Sequence, residues 1–254
     1  MKTILITGAG TGMGRATAQT LSQHKDVSLV LMGRRKDKLD AVLAELNHQE
    51  NHVAVSVDIG NRTSFRKGLT SISPEERDIV ALFANAGIGG ENAYGDDDRW
   101  DEILRTNLNG TYISIMETLP YLKASKQAFK HILMTSSCLA RFGVPNYTAY
   151  CTSKTGLLGL TRSLAVELAS DKILVNSLCP GWVETEMAQQ GIQLLADRMG
   201  QDYQTTYDQQ MGFVPLERMS LPQEVGNLVD FLFSGKQNSI SGQGIDINNG
   251  SWMQ

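Results

Sequence analysis

A tyrosine and a lysine four residues apart, Tyr150 and Lys154, are the residues whose types and spacing best suit acid–base chemistry. If the segment is helical, side chains at positions i and i+4 lie on one face. A phenol has an ordinary pKa of about 10, which makes it a poor base near neutral pH. A nearby ammonium group stabilises the phenolate and lowers that pKa, so the phenol can exchange a proton with a carbonyl or alcohol oxygen. An isolated pair with this spacing is also typical of an ordinary helix surface.

Ser137 lies thirteen residues before Tyr150 and follows an apolar run, residues 132–134, that is typical of a strand. Hydroxyl groups at the carboxyl end of a strand face the crevice in which open α/β sheets bind ligands. We expect Ser137 to hydrogen-bond a substrate oxygen as charge develops on it. Taken alone, Ser137 and the neighbouring Thr135 and Ser136 are equally consistent with a turn.

A glycine-rich turn follows the first predicted strand and precedes a helical pattern. Its spacing is G-x-x-x-G-x-G and not G-x-G-x-x-G. Glycines allow the backbone to turn tightly and approach a pyrophosphate, and the N-terminus of the following helix favours the anion. The alternative is a tight turn without a ligand. The predicted dinucleotide contacts in this turn are Gly8, Thr11, Gly12, Met13 and Gly14.

The residues that follow the second predicted strand bear on the type of cofactor. An acidic residue roughly 20 positions after the glycine turn would bind the ribose 2′-hydroxyl of NAD, whereas an arginine suits the 2′-phosphate of NADP. Here Gly33 is followed by Arg34 and Arg35, whose guanidinium groups bind phosphate in a bidentate manner. We therefore predict NADP(H) in preference to NAD(H). The alternative is that both arginines are solvated charges at a strand end.

Short aliphatic or β-branched runs alternate with amphipathic stretches along the whole chain. Nearly continuous apolar strands that alternate with helices indicate a parallel sheet covered on both faces. A helical stripe is predicted over residues 39–46 and a helix start over 220–223. No repeat or linker divides the sequence, which predicts one domain over 1–254. The predicted strands are 3–7, 28–32, 53–57, 79–84, 131–136, 173–178 and 244–248.

Composition excludes several classes of protein. The chain has 254 residues, 41% of them hydrophobic and 20% charged, with a net charge of −4. That balance argues against a nucleic-acid-binding surface, which needs concentrated positive charge. The apolar run at the start is too short for a signal peptide, and no stretch approaches a membrane span. Three cysteines without paired or metal-type spacing suit reduced thiols, so a cytoplasmic location is expected.

Taken together, these motifs resemble those of the short-chain dehydrogenase/reductase family over essentially the full length. The resemblance implies an α/β fold with a doubly wound (Rossmann-type), seven-stranded parallel sheet and helices on both faces. It also implies an oxidoreductase that transfers a hydride between NADP(H) and a carbonyl or secondary alcohol. Besides the glycine turn, Tyr150 and Lys154, the shared motifs are Asn85-Ala86-Gly87, Asn107 within 106–110, the segment 180–185, and Ser241-Gly242-Gln243-Gly244.

The resemblance further implies a catalytic tetrad of Asn107, Ser137, Tyr150 and Lys154. Lys154 would also hold the nicotinamide ribose, and Asn107 would position a water molecule in a proton relay. Ser137 and Tyr150 would contact the substrate. The remaining implied cofactor contacts are Asp58 and Ile59 near the adenine, Asn85, Ala86 and Gly87 beside the cofactor, and Pro180, Gly181, Val183 and Thr185, of which Val183 and Thr185 would meet the carboxamide. For Asp58 and Asn85, turn formation or strand capping is the alternative.

Residues from about 186 to 219 correspond to the substrate lid of the family. Their apolar and aromatic side chains would suit a neutral, moderately hydrophobic ketone or alcohol better than a highly anionic substrate, although ordinary helix packing is the alternative. The resemblance implies a homotetramer or homodimer. Some members bind Mg²⁺ through a C-terminal glutamine, which would be Gln254 here, and no other metal site is predicted.

Two rival functions remain open at this point. One is an NAD(H)-dependent alcohol dehydrogenase that uses the same tetrad, which cofactor kinetics would distinguish. The other is a non-catalytic dinucleotide-binding regulator, in which we would expect the tyrosine or the lysine to be lost. Both are present here, at positions 150 and 154.

Overall fold

Seven parallel strands form one sheet in the computed structural model, which describes residues 1–253. Gln254 and the Mg²⁺ hypothesis attached to it lie outside the described residues. The sheet order is β3-β2-β1-β4-β5-β6-β7, so the order reverses between β1 and β4. The strands are β1 (Lys2–Thr7), β2 (Val27–Gly33), β3 (Val53–Ser56), β4 (Asp78–Ala84), β5 (Lys130–Thr135), β6 (Ile173–Pro180) and β7 (Gly244–Ile247).

The central strands are buried on both faces, because successive side chains of a strand point to opposite sides. In β1, Ile4 and Ile6 belong to the apolar core on one side of the sheet, whereas Leu5 belongs to the core on the other. This arrangement explains why the strands are continuous apolar runs and not alternating ones.

Nine α-helices, within the residues that the structure describes, flank the sheet or extend beyond it. Helices α1, α2 and α9 cover one face, and α3, α5 and α6 cover the other, which confirms the doubly wound fold. The helices are α1 (Gly12–Leu21), α2 (Lys36–Leu43), α3 (Arg62–Thr70), α4 (Trp100–Leu104), α5 (Thr111–Ala124), α6 (Thr148–Glu167), α7 (Glu186–Met199), α8 (Tyr203–Gly212) and α9 (Pro222–Phe233).

The predicted strands all exist, and their ends differ from prediction by at most two residues. The predicted stripe over 39–46 is partly wrong, because α2 ends at Leu43. Leu46 is still buried, since the N–H groups of Glu45 and Leu46 turn back to the carbonyl groups three residues earlier. The start of α9 is confirmed: its first residue is Pro222, and the Glu224 carboxylate accepts the Leu221 N–H at 2.7 Å.

The carboxyl ends of the strands form one edge of the sheet, and the reversal of strand order opens a crevice there. Helices α7 and α8 lie in the 186–219 segment that follows β6. They have a small apolar cluster of their own, so part of the predicted lid surface packs against itself, including Ile192 and Met211. Within residues 1–253 no helix has both the length and the apolarity that a membrane crossing requires.

Candidate active site

The glycine turn between β1 and α1 lies so close to neighbouring backbone that Gly8 and Gly14 leave no room for a side chain. Gly8 and Gly12 have φ angles of +68° and +52°, in the region that favours glycine. A Cβ on Gly14 would lie 2.3 Å from the carbonyl oxygen of Gly8, and one on Gly8 would lie 2.8 Å from Cα of Ala86. Thr11 precedes α1 and makes no side-chain capping bond. A bare backbone at a helix N-terminus fits the pyrophosphate of a dinucleotide.

Two exposed arginines, Arg34 and Arg35, follow β2 at the same edge of the sheet. Among residues 1–253, neither guanidinium has a hydrogen-bonding or ion-pairing partner, so both are available to an added anion. Lys38 in α2 is a further cation, which no sequence motif indicated. A Cβ on Gly10 would lie 3.1 Å from Cβ of Lys38, which puts this lysine beside the glycine turn.

Asp58 and Ile59, the predicted adenine contacts, follow β3 and are held in a turn. The Asp58 carboxylate accepts the N–H of Gly60 at 2.9 Å, and the Asp58 N–H donates to the hydroxyl of Ser64 at 3.0 Å. Ile59 is buried and packs close to Gly110. These bonds give Asp58 the turn-forming role that was the alternative, and one carboxylate oxygen makes no protein hydrogen bond in the described chain.

The amide of Asn85 joins the ends of three strands. Its Nδ2 donates to the carbonyl oxygen of Thr7 at 3.2 Å, and its Oδ1 accepts the hydroxyl of Thr135 at 3.1 Å. The hydroxyl of Thr7 in turn accepts the N–H groups of Asn85 and Ala86, each at 3.1 Å. The side chain of Asn85 therefore caps strands and holds β1, β4 and β5 in register beside the glycine turn.

Asn107 lies in a π-helical turn, Arg105–Gly110, between α4 and α5. Its side chain is only 1% exposed. The amide oxygen accepts the N–H of Ile88 at 2.8 Å, and Nδ2 donates to the Ile88 carbonyl at 2.9 Å and to the Ser153 hydroxyl at 3.2 Å. π-Helical turns occur often at functional sites. Here the turn aims the amide at the loop that follows β4.

Lys154 and Tyr150 lie on one face of α6, as the spacing predicts. Lys154 is only 4% exposed. Its ammonium donates to the carbonyl oxygen of Thr135 at 2.8 Å and lies 5.5 Å from the centroid of the Tyr150 ring. A Cβ on Gly87 would be 3.4 Å from Lys154 Nζ and 3.1 Å from Oδ1 of Asn107. Gly87 therefore allows Asn107 and Lys154 to approach each other.

Ser137 follows β5 and begins a short 3-10 turn, where its Oγ accepts the N–H of Leu139 at 3.1 Å. Ser137 also affects the pKa of the Tyr150 phenol. Burial raises the pKa of Tyr150 to about 12, and the hydroxyl of Ser137 partly opposes that rise. The structure thus brings all four residues of the predicted tetrad to the carboxyl edge of the sheet.

One electrostatic expectation is wrong for the protein by itself: the pKa of the Tyr150 phenol is raised, not lowered. The loss of hydration disfavours the Tyr150 phenolate more strongly than the neighbouring groups stabilise it. The ammonium of Lys154 points to Thr135 and to the ring face, and burial lowers its own pKa to about 8. Both groups therefore favour their neutral forms more strongly than they would in water.

The segment from Pro180 to Thr185 leads from β6 into the lid. Gly181 is the first residue after the strand, and Val183 is buried. Thr185 is the N-cap of α7, and its methyl group faces the glycine turn, where a Cβ on Gly12 would be 3.1 Å from it. The segment after β6 therefore contacts the glycine turn at Thr185 and Gly12.

Several residues around the crevice were not predicted from the sequence. The ring of Tyr147 meets that of Tyr150 edge to face, with centroids 6.3 Å apart. Glu91, after β4, forms an ion pair with Arg198 of α7. Met187 of α7 reaches the same loop, where a Cβ on Gly89 would be 3.0 Å from its sulfur. The contacts of Glu91 and Met187 follow from no local motif, because each joins segments far apart in the sequence, whereas Tyr147 lies only three residues before Tyr150.

Comparison with known proteins agrees with this architecture. Residues 2–193 match the family model for short chain dehydrogenase. The chain is 32% identical to the 3-oxoacyl-(acyl-carrier-protein) reductase of Aquifex aeolicus, over 98% of this chain and 96% of that protein. It is 29% identical to the reductase of the same name from Staphylococcus epidermidis, over 99% of both chains.

Solved structures agree as well. A substituted actinorhodin polyketide ketoreductase, solved with NADPH, superimposes with a TM-score of 0.91 at 26% identity, over 98% of this chain and 97% of that one. The 3-ketoacyl-(acyl-carrier-protein) reductase of Brucella melitensis, complexed with NADH, gives a TM-score of 0.85 at 26% identity, over 99% and 98%. The chain belongs to the short-chain dehydrogenase family and is an NAD(P)-dependent oxidoreductase that acts on alcohol or carbonyl groups.

Proposed function

We propose that this protein interconverts a carbonyl compound and a secondary alcohol with NADP(H), and that Tyr150 is the acid and base of the reaction. The observation that carries the proposal is the position of the Lys154 ammonium, 5.5 Å from the Tyr150 ring centroid and anchored on the carbonyl of Thr135. This anchor joins α6 to the end of β5, the strand that Ser137 follows. One rigid frame therefore carries the three side chains.

The proposed chemistry divides between cofactor and protein. The nicotinamide cofactor supplies or accepts the hydride when it is bound. The backbone of Gly8, Gly12 and Gly14 would hold its pyrophosphate, and Lys154 would hold the ribose. Ser137 and Tyr150 act on the substrate oxygen: the serine hydroxyl stabilises developing negative charge, and the phenol delivers a proton in reduction or takes one in oxidation.

Lys154 is proposed to set the charge around Tyr150. Its pKa of about 8 leaves the ammonium protonated in most molecules near neutral pH, so a positive charge faces the phenol while the proton moves. Asn107 is proposed to position the water of a proton relay. Its amide protons go to Ile88 and Ser153 and its amide oxygen accepts the Ile88 N–H, so these bonds hold Asn107 in a fixed position for that task.

The preference for NADP(H) over NAD(H) rests on the arginines after β2. Arg34 and Arg35 are exposed and form no ion pair within the described part of the chain, and Lys38 adds a third cation beside the glycine turn. Guanidinium groups bind a phosphate more favourably than a hydroxyl. The ribose 2′-phosphate of NADP would compensate this local positive charge.

We also propose that the chain is one domain with residues 186–219 as the substrate lid, and that it forms a homotetramer or homodimer. A largely apolar surface groove between α5 and α6, lined by residues such as Leu108, Tyr112 and Leu160, supports self-association. Light scattering on the purified protein tests this state, and a monomer at micromolar concentration would refute it.

The decisive test of function is NADPH oxidation at 340 nm against a panel of ketones, diketones, sugars and β-ketoacyl thioesters. We expect turnover with at least one class, and a loss of at least about 100-fold in kcat for Tyr150→Phe, with the dissociation constant for NADPH unchanged. The matched control is Tyr121→Phe, a half-buried tyrosine on α5 that packs against the apolar core. Near-normal kcat in Tyr150→Phe would refute the mechanism, and binding of NADPH without turnover of any carbonyl would favour the regulator.

A further inference from the structure

One ion pair joins the lid to the loop that follows β4. Glu91 lies in the loop after β4, and Arg198 lies in α7 of the lid, 107 residues later. The Glu91 side chain is 19% exposed and that of Arg198 is 47% exposed, so the carboxylate is the deeper partner. The pair therefore joins the loop after β4 to the lid segment, and both segments border the carboxyl edge of the sheet.

The pair also lies close to the catalytic helix. Tyr147 precedes α6, and its ring meets the Tyr150 ring edge to face. Burial and the Glu91 carboxylate raise the pKa of the Tyr147 phenol, and Arg198 partly opposes this rise, so Tyr147 faces both charges. The loop that holds Glu91 is also bonded to the residue before Tyr147, because the N–H of Asn92 donates to the carbonyl oxygen of Asn146 at 2.8 Å.

The described segments 88–102 and 184–208, which hold the loop after β4 and much of the lid, contain no cation without a carboxylate partner. Their two arginines are Arg99 and Arg198, and each has a carboxylate partner, Glu102 or Glu91. The same segments hold nine further carboxylates, namely Asp96, Asp97, Asp98, Asp101, Glu184, Glu186, Asp197, Asp202 and Asp208. An excess of negative charge in these two segments lowers the local concentration of anions around them.

We propose that Glu91 and Arg198 determine which substrate charge the site prefers. Because the two side chains neutralise each other, the site selects an uncharged carbonyl compound over an anionic one. This inference rests on the proposed function, since it names the substrate class of the same site. Glu91 neutralises the guanidinium of Arg198, which would otherwise be free to bind a substrate carboxylate or phosphate. Tyr147 provides the apolar and aromatic surface between that pair and the reacting oxygen.

The test uses three matched β-keto substrates that differ in charge: ethyl acetoacetate, acetoacetate, and the choline ester of acetoacetic acid. For the wild-type enzyme with NADPH we expect kcat/KM to be at least about tenfold lower for acetoacetate than for the ethyl ester. Glu91→Gln frees Arg198 and should raise the acetoacetate-to-ester ratio at least fivefold. Arg198→Gln frees Glu91 and should lower that ratio and favour the choline ester.

The double variant Glu91→Gln/Arg198→Gln should return the ratio to within threefold of the wild type, because no net charge is left at the pair. Lys123→Gln, which breaks the pair with Asp171 far from the carboxyl edge, is the matched control and should leave the ratio unchanged. Equal ratios in the wild type and both single variants would overturn the proposal.

Binding measurements keep this test separate from the test of function. Each compound is also titrated into the NADPH complex, with quenching of the bound cofactor's fluorescence as the signal, so the three affinities do not depend on turnover. Charge-dependent affinities that reverse between the single variants support the inference even if these substrates are not reduced. Absence of turnover with every carbonyl of the larger panel refutes the proposed function instead.

Discussion

The side-chain amide of Asn107 bonds to both ends of one residue, accepting the N–H of Ile88 and donating to its carbonyl oxygen. A third bond to Ser153 ties the same amide to the catalytic helix. The loop after β4, the π-helical turn and α6 are therefore fixed to each other at one buried point. Gly87, which a Cβ would crowd against both Asn107 and Lys154, lies next to it.

Asn107→Ala should destabilise the protein as well as impair turnover. It leaves the two backbone groups of Ile88 and the hydroxyl of Ser153 without their partner in a buried site. Unpaired buried polar groups cost about 1–3 kcal/mol each, and relaxation recovers part of this, so we expect a loss of about 2–4 kcal/mol in the free energy of unfolding. Urea unfolding followed by circular dichroism measures it.

Asn109→Ala is the matched control, because Asn109 is exposed and lies in the same π-helical turn. It should change the free energy of unfolding by less than about 0.5 kcal/mol. If Asn107→Ala were as stable as Asn109→Ala, the three bonds would have no structural weight, and any loss of activity would belong to the reaction alone.

Gly14→Ala should remove dinucleotide binding. The new Cβ would lie 2.3 Å from the carbonyl oxygen of Gly8 and 2.8 Å from Nδ2 of Asn85, so the turn and its strand-capping amide must move. We expect the dissociation constant for NADPH, measured by fluorescence, to rise at least tenfold and the melting temperature to fall. Gly212→Ala is the control, because a Cβ there meets nothing within 4 Å. Normal NADPH binding by Gly14→Ala would contradict the predicted cradle.

Much of the fold, and the shared helix face of Tyr150 and Lys154, could be predicted from the sequence because the signals are local, whereas the tetrad as a set came from the family resemblance. Buried parallel strands are recognisable as apolar runs, and Tyr150 and Lys154 share a helix face by spacing alone. The roles of Asn85 and Asn107 could not be predicted in detail, because their partners are backbone groups of distant segments. The raised pKa of Tyr150 was also missed, since the spacing of two charges does not give the depth at which they are buried.

The same limit applies to the lid. Its apolar residues were visible in the sequence, but the pattern could not separate those that pack between α7 and α8, such as Ile192, from those that reach the crevice, such as Met187. The pairing of Glu91 with Arg198 was likewise invisible, because nothing local connects residues 107 positions apart. The proposed charge selectivity therefore depends on a long-range contact, whereas the class of reaction could be predicted from local motifs.

The double variant Arg34→Gln/Arg35→Gln should shift cofactor preference. Each charged hydrogen bond to a phosphate contributes about 1.5–3 kcal/mol, so loss of both arginines should raise the KM for NADPH at least tenfold. The KM for NADH should change less than threefold, because NADH has no 2′-phosphate. The control is Arg66→Gln, because the guanidinium of Arg66 in α3 pairs with Glu117 in α5. An equal rise in the KM for both cofactors would mean that the arginines do not act on the 2′-phosphate. A wild-type preference for NADH would refute the assignment to NADP(H).

The buried ammonium of Lys154 should make stability rise with pH. Its pKa is about 8 in the folded protein, below the value of about 10.5 for an unfolded chain. Between these values the unfolded state binds more protons than the folded state, so the free energy of unfolding increases as the pH rises. From pH 7.5 to 9.5 the wild type should gain about 2 kcal/mol relative to Lys154→Met, which has a similar shape and no titrating group. Urea unfolding at pH 7.5, 8.5 and 9.5 measures this difference. Loss of the bond to Thr135 lowers the stability of the variant equally at every pH, so only the slope reports the proton. A constant difference across the three pH values would mean that the ammonium is as well solvated in the folded protein as in the unfolded chain.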